Sequence, residues 1–96
     1  MNKRIAVVTG ATGTLGKAII NSLITNNIEI VLVSKDIKKL EKLYDEICTI
    51  AIHKPSMIPI DLSYGRSIDK LGGKIFEKYK KLDILINCSS FFPKLS

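Results

Sequence analysis

The segment 9–16 contains the residues whose types and spacing most clearly indicate chemistry. It reads TGATGTLG, so that Gly10, Gly13 and Gly16 recur every three residues. Glycines at such positions let the chain turn sharply and let the backbone approach a pyrophosphate closely. A helix that begins here directs free N–H groups and its positive dipole end toward the phosphates. Because the segment follows an apolar run and precedes a helical pattern, it predicts a dinucleotide-binding loop.

Strand-like and helix-like patterns alternate around this loop. Short apolar or β-branched runs predict four strands, at residues 4–9, 28–33, 57–60 and 84–86. Apolar residues at spacings of three and four predict three intervening helices, at 15–24, 37–47 and 68–82, the third weakened by Gly72 and Gly73. The alternation predicts an α/β fold, with a doubly wound parallel sheet in the order 3-2-1-4 and three helices. In that order the third strand is an edge, where Pro59 is tolerated.

The composition is typical of a globular chain. Of the 96 residues, 46% are hydrophobic and 25% are charged, which argues against intrinsic disorder. The net charge of +6 comes mainly from lysines that alternate with apolar helix positions, as on solvated helix faces. We therefore expect no nucleic-acid partner. Since no apolar run is long enough for a signal peptide or a bilayer span, we also expect a cytoplasmic protein without a membrane partner.

The remaining reactive side chains show no pattern of a site. Cys48 and Cys88 lie forty positions apart without metal-ligand spacing, so they are interpreted as reduced thiols packed as small hydrophobes, and no metal site is expected. His53 is the only histidine and falls in a linker, where it is interpreted as solvent-exposed.

Three motifs together resemble the short-chain dehydrogenases/reductases. The loop 9–16 is similar to that family's TGxxxGxG motif. Residues 60–62, which read IDL, resemble the acidic pair after its third strand, and residues 82–87, which read LDILIN, resemble the run that leads into its NNAG motif. The resemblance covers nearly the whole chain, in the family's order and at ordinary distances.

The resemblance implies positions for a bound nicotinamide dinucleotide. Asp61 and Leu62 would flank the adenine ring, and Asn87 would lie beside the cofactor ribose. The pyrophosphate would be held by the loop residues Gly10, Ala11, Thr12, Gly13, Thr14, Leu15 and Gly16. Thr14 replaces the second glycine of the family's main branch, whereas Gly13 fits the spacing of its extended branch, so the branch stays open. Residues 88–90 read CSS and place side chains where the nicotinamide-side ribose needs room.

The residues after the second strand bear on the choice between NADP and NAD. In the family's alignment Ser34 takes the place of the NAD-selecting acid, and Lys35 that of the arginine of NADP-preferring members, so NADP is favoured over NAD. Two alternatives remain open. In one, Lys35 is a solvated lysine and Asp36 caps the next helix. In the other, Asp36 accepts a hydrogen bond from the ribose 2′-OH.

The catalytic pair of the resembled family has no counterpart in the sequence. That family uses Tyr-x-x-x-Lys on a later helix, whereas Tyr44, Tyr64 and Tyr79 are followed four residues later by cysteine, isoleucine and aspartate. We therefore expect no catalytic residues here and no turnover by the isolated chain. Residues 1–96 are interpreted as one truncated NAD(P)-binding Rossmann domain, the N-terminal part of an oxidoreductase whose catalytic half is lost or separately encoded.

A second hypothesis assigns the chain to a different functional class. A non-catalytic dinucleotide-binding or sensing module would dock on a partner protein through its apolar fourth strand, residues 84–86, which the predicted sheet leaves as an edge. A third, a basic nucleic-acid binder, predicts DNA affinity that falls steeply with salt.

Overall fold

The computed structural model describes residues 3–63 and 65–88. Their seven elements alternate strand and helix: β1 (Arg4–Thr9), α1 (Thr14–Leu23), β2 (Ile28–Ser34), α2 (Ile37–Cys48), β3 (Ser56–Pro59), α3 (Gly65–Tyr79) and β4 (Ile84–Asn87). The predicted α/β alternation is confirmed.

The four strands form one parallel sheet in the order β3-β2-β1-β4, as the sequence predicts. β1 pairs with β2 on one side and with β4 on the other, and β3 is an edge strand. Pro59 is the last residue of that edge strand, opposite Ser34, where its missing N–H interrupts no inner ladder. The chain reverses its direction of winding between β1 and β4, and ligands in such folds bind outside the carboxyl ends of the strands at this point.

Helices cover both faces of the sheet, so that β1 and β2 are buried on both sides. One face packs under α1 and α2 and centres on Val8, Ile30 and Leu32. The other packs under α3, where Leu71 and Ile75 contact β1 and β2. The continuous apolar runs of the inner strands follow from this double burial, because neither face of the strand contacts water.

Helix α3 buries fewer residues than its predicted stripe. Leu71 and Ile75 are buried, but Ile68 and Phe76 are exposed, and Leu82 lies beyond the helix end and is also exposed. The helix also begins earlier than predicted, at Gly65. The prediction that the apolar stripe of this helix continues to Leu82 was wrong. Lys80 has a positive φ of 62°, so the helix ends at Tyr79.

Two further expectations need correction. Cys48 is exposed at the end of α2 and is not packed as a core residue, whereas the free thiol of Cys88 is half-buried against the core. His53 is half-buried, and its imidazole contacts the side-chain oxygen of the exposed Asn27. Within residues 3–63 and 65–88, no three metal-ligating side chains come together, and no helix has both the length and the apolar character of a bilayer span.

The two glycines inside α3 provide a test of helix propensity. A Cβ added at Gly72 or Gly73 meets no atom within 4 Å, so alanine fits at both positions. Replacing Gly73 with alanine is expected to raise the free energy of unfolding by about 1 kcal/mol, because alanine loses less backbone entropy on helix formation. Urea unfolding followed by circular dichroism measures the change. Gly65→Ala, which also meets no atom but sits at the first helical position, should have a smaller effect; equal effects of the two variants would contradict the explanation.

Candidate functional site

The glycine-rich loop makes a tight turn directly after β1. Gly10 has a φ of 64°, in the left-handed region that favours glycine. The N–H of Gly13 donates to the carbonyl of Gly10 at 3.2 Å, which closes the turn. The N–H of Ala11 donates to the carbonyl of Val33 at 3.1 Å and ties the loop to the end of β2. The loop is thus held in place by the sheet itself.

Gly16 permits close packing between α1 and the loop. A Cβ at this position would lie 2.5 Å from the carbonyl oxygen of Gly10 and 2.9 Å from that of Ala11. The side chain of Ala11 is itself fully buried in the core beneath the loop. Ala11 and Gly16 therefore pack on the core side of the loop, while Gly10, Thr12 and Gly13 line the cleft on its solvent side.

The N-terminus of α1 is open to an anion. Gly13 is the N-cap with an extended φ of −78°, and among the described residues no side chain hydrogen-bonds to the first turn. Thr14 and Leu15 are exposed there, and the first turn contains no acidic residue. The free N–H groups of the first turn and the positive end of the helix dipole therefore favour a phosphate at this point.

Hydroxyl groups and lysines surround the end of β2. The hydroxyls of Thr12 and Ser34 lie 3.1 Å apart in a hydrogen bond, which joins the loop to β2. The carboxylate of Asp36 accepts from the backbone N–H of Lys39 at 3.1 Å and caps α2. Asp36 therefore has the capping role of one of the sequence alternatives, while the exposed side chain of Lys35 lies beside it.

Asp61 and Leu62 form the side of the cleft next to β3. The carboxylate of Asp61 accepts from the Ser63 hydroxyl at 2.7 Å and from the Ser63 N–H at 2.9 Å. These hydrogen bonds, with a smaller contribution from the positive charge of Lys35, hold the pKa of Asp61 below its ordinary value of 3.8. Leu62 is half-buried and packs against the core under α3. The site thus contains a charged carboxylate within electrostatic range of Lys35.

Asn87 joins the ends of β4 and β1. Its side-chain oxygen accepts from the Thr9 hydroxyl at 2.9 Å, and the N–H of Cys88 donates to the Thr9 carbonyl at 3.0 Å. Asn87 therefore fixes the sheet centre beside the loop. Ser89 and Ser90, which the sequence places at the end of the NNAG-like motif, lie outside the described residues, as does Tyr64.

A cleft of about 240 Å³ combines most of these elements. Seven of the twelve residues named from the sequence line it: Gly10, Thr12, Gly13, Ser34, Lys35, Asp61 and Leu62. Ala11 and Gly16 lie behind the loop, Thr14 and Leu15 are in the first turn of α1, and Asn87 is at the end of β4. Lys39 also lines the cleft, although the sequence motifs do not point to it. Its position in the first turn of α2, four residues after Lys35, is the signal that could have identified it.

The sheet order and the glycine-rich loop at the end of β1 define a Rossmann-type domain. Residues 4–95 match the family description "short chain dehydrogenase", and the chain belongs to that family. It is 29% identical over 94 residues to a dehydrogenase/reductase SDR family protein 7-like of Anopheles gambiae, covering 91% of this chain and 29% of the relative.

Solved structures agree with the fold. A β-ketoacyl-[ACP] reductase from Bacteroides thetaiotaomicron superimposes with a TM-score of 0.83 at 32% identity, covering 95% of this chain and 41% of that one. A metagenomic short-chain oxidoreductase solved in complex with NADP gives a TM-score of 0.78 at 28% identity, covering 85% of this chain and 37% of that one. The chain thus spans about a third of the length of the curated relatives it matches and about two-fifths of these structures.

Proposed function

We propose that this chain is the cofactor-binding part of a short-chain dehydrogenase/reductase-type oxidoreductase and that it binds NADP in preference to NAD. The observation that carries the proposal is the glycine-capped N-terminus of α1, which offers its free N–H groups beside the cleft. The chain's membership of the family and a relative solved with NADP add support.

The residues present fit a dinucleotide. The N–H groups at the start of α1 would hold the pyrophosphate, and Gly10 and Gly13 leave room for it because neither carries a side chain. The Ser34 hydroxyl, Lys35 and Lys39 would surround the 2′-phosphate of the adenosine ribose, and Asp61 and Leu62 would lie beside the adenine. A bound nicotinamide supplies hydride transfer, and the role of these residues is to bind and orient it.

The proposed preference for NADP follows from the charges at the end of β2. Ser34 places a neutral hydroxyl where an acid would select NAD, and the carboxylate of Asp36 is engaged in capping α2. The cleft presents Lys35 and Lys39 to a phosphate instead. The negative charge of Asp61 partly offsets the positive charge of these lysines. We therefore expect a preference for NADP and not an exclusion of NAD.

A titration of thermal unfolding tests both parts of the proposal. A ligand that binds only the native state raises the unfolding midpoint, so millimolar NADPH should raise it more than NADH. Lys35→Asp is expected to reduce the NADPH to NADH affinity ratio about tenfold, or ~1.4 kcal/mol, because a cation at the 2′-phosphate becomes an anion. Lys38→Asp makes the same charge change on α2 outside the cleft and should leave the ratio unchanged. Indifference to both dinucleotides would refute the binding site, and an unchanged ratio in Lys35→Asp would refute the preference alone.

We also propose that residues 1–96 alone do not catalyse the oxidoreductase reaction. Tyr44 and Tyr79, the tyrosines in the described residues, are followed four positions later by Cys48 and Asp83, and neither lines the dinucleotide cleft. A catalytic part of the oxidoreductase would have to supply the proton-transfer pair. Carbonyl reduction with NADPH by the purified chain would overturn this part.

A second candidate function is a sensing module that docks on another protein, and the exposed edge at β4 favours it. Within the described residues β4 pairs only with β1, and its Leu85 is 61% exposed. An apolar strand edge with unpaired N–H and C=O groups can accept a further strand. Recovery of one stoichiometric partner whose affinity changes with NADPH would support this candidate. A partner that instead carries Tyr-x-x-x-Lys would argue against the sensing module and favour an oxidoreductase.

A further inference from the structure

A second and larger concavity lies on the side of the sheet away from the dinucleotide cleft, at the N-terminal ends of the strands. It has a volume of about 1120 Å³, and none of its lining residues also lines the dinucleotide cleft. Glu29 near the start of β2 and Ser56 at the start of β3 lie in its wall, with Tyr79 at the end of α3. We call this concavity the basic cleft, because its lining contains four lysines, Lys3, Lys54, Lys78 and Lys81.

The positive charge of the basic cleft is only partly neutralised. Among the described residues Glu29 is the single carboxylate of the lining, and its oxygens bind the Lys3 ammonium at 2.6 Å and the Tyr79 hydroxyl at 2.5 Å. Lys81 is paired with Asp83, just outside the lining, at 3.3 Å. Lys78 donates to the Ser56 hydroxyl, a neutral acceptor, at 2.6 Å, and Lys54 makes no ion pair within the described part of the chain. An anion would therefore compensate mainly the charges of Lys54 and Lys78.

Part of the wall between the lysines is apolar. Ile5 and Pro55 are buried, Met57 is half-buried, and the rings of Tyr44 and Tyr79 lie beside the polar side chains of Glu29 and Ser56. A surface that combines an apolar floor with a cationic rim matches a ligand that has both parts. The volume of about 1120 Å³ lies slightly above the usual range of small-molecule pockets, about 300–1,000 Å³, and the lysines surround one concavity without forming the extended track that a nucleic acid requires.

We propose that the basic cleft binds a small organic anion, with its carboxylate or phosphate group at the lysines and its apolar body on Ile5, Pro55 and Met57. The site is separate from the dinucleotide cleft, so its occupation does not depend on cofactor binding. Lys54 is the residue most suited to a test, because it makes no hydrogen bond or ion pair with a described residue whose loss would disturb the fold.

The test is a titration of the ¹⁵N-labelled chain with sodium decanoate, followed by amide chemical shifts. Shifts should concentrate at residues 54–57 and 78–79 and not at the glycine-rich loop. Lys54→Gln should weaken decanoate binding about two- to fivefold, the range expected for one exposed charge pair. Lys38→Gln, an exposed lysine of α2 that lines neither cleft, should not change it.

Four further titrations separate the alternatives. Decan-1-ol, which lacks the charge, should bind more weakly than decanoate. Inorganic phosphate, which lacks the apolar body, should also bind more weakly, and decyl phosphate should bind at the same residues as decanoate. Shifts that map to β4, equal binding of the alcohol and the acid, or an unchanged affinity in Lys54→Gln would overturn the proposal. Saturating NADPH should leave decanoate binding unchanged, so this result is distinguishable from failure of the dinucleotide site.

Discussion

Replacing Gly16 with alanine is expected to lower the free energy of unfolding by about 1–3 kcal/mol, the usual cost of overpacking a closely packed site. The added Cβ would lie 2.5 Å from the Gly10 oxygen and 2.9 Å from the Ala11 oxygen, and both are backbone atoms that cannot rotate away. Either α1 must move from the loop or the loop must leave the end of β2. Chemical denaturation of the two proteins measures the difference.

The matched control for this prediction is Gly13→Ala. Gly13 lies in the same loop, but its φ of −78° suits any residue, and a Cβ there would come no closer than 3.5 Å to the Gly10 oxygen. Its effect on stability should therefore be limited to about 0.5–1 kcal/mol, the loss when alanine replaces a better N-cap residue. If both variants destabilise equally, the loss comes from the loop's general need for glycine and not from the contact of α1 with the loop. Because Gly16→Ala displaces the helix N-terminus, it should also weaken NADPH binding if the proposed function is correct.

Replacing Tyr79 with phenylalanine is expected to lower the free energy of unfolding by about 1.5–3 kcal/mol, the cost of losing a hydrogen bond to a charged group. The Tyr79 hydroxyl donates to the Glu29 carboxylate at 2.5 Å, and Glu29 is only 7% exposed. The same hydroxyl lies 2.6 Å from the Ser56 hydroxyl, so one phenol joins α3 to β2 and β3. Burial and the hydrogen bond to Glu29 raise the pKa of Tyr79 to about 12, so it remains a donor at neutral pH.

The loss in Tyr79→Phe should depend on pH. Burial raises the pKa of Glu29, but the hydrogen bonds and positive charge from Lys3, with the hydrogen bond from Tyr79, outweigh burial and hold this pKa below its ordinary value of 4.5. A carboxylate with a lowered folded-state pKa contributes stability that is complete above its unfolded pKa and is lost as the pH falls through the folded value. The stability gap between wild type and Tyr79→Phe should therefore be constant near neutrality and shrink below pH 4.5.

Tyr44→Phe is the control for this pair of measurements. Tyr44 is also half-buried and lines the same cleft, but its hydroxyl makes no hydrogen bond to any described residue. We expect this substitution to change the free energy of unfolding little and to leave its decrease below pH 4.5 unaltered. A gap between wild type and Tyr79→Phe that persists unchanged in acid would show that the phenol acts through packing and not through the charge of Glu29.

The pattern of residue types along the chain is enough to predict the fold and the general position of the candidate site. Buried parallel strands need apolar residues on both faces, so β1 and β2 appear as continuous apolar runs, and Pro59 marks the edge strand because it cannot donate to a ladder. The glycines of residues 9–16 can likewise be recognised in the sequence, because two backbone segments that approach closely leave no room for a side chain. Each of these requirements concerns residues that are close together in the chain, so a short sequence pattern is enough to predict it.

Which side chains contact each other depends on how the elements pack in three dimensions. Glu29, Ser56 and Tyr79 lie on three different elements, with Glu29 and Tyr79 fifty positions apart, and no spacing rule predicts the hydrogen bonds that join them. The contacts of Thr12 with Ser34 and the presence of Lys39 in the cleft depend likewise on how α2 leaves β2. Helix α3 shows the converse, because its apolar residues Ile68 and Phe76 match a helical stripe yet remain exposed. Burial depends on the neighbouring elements, and a periodic pattern cannot specify which neighbours are present.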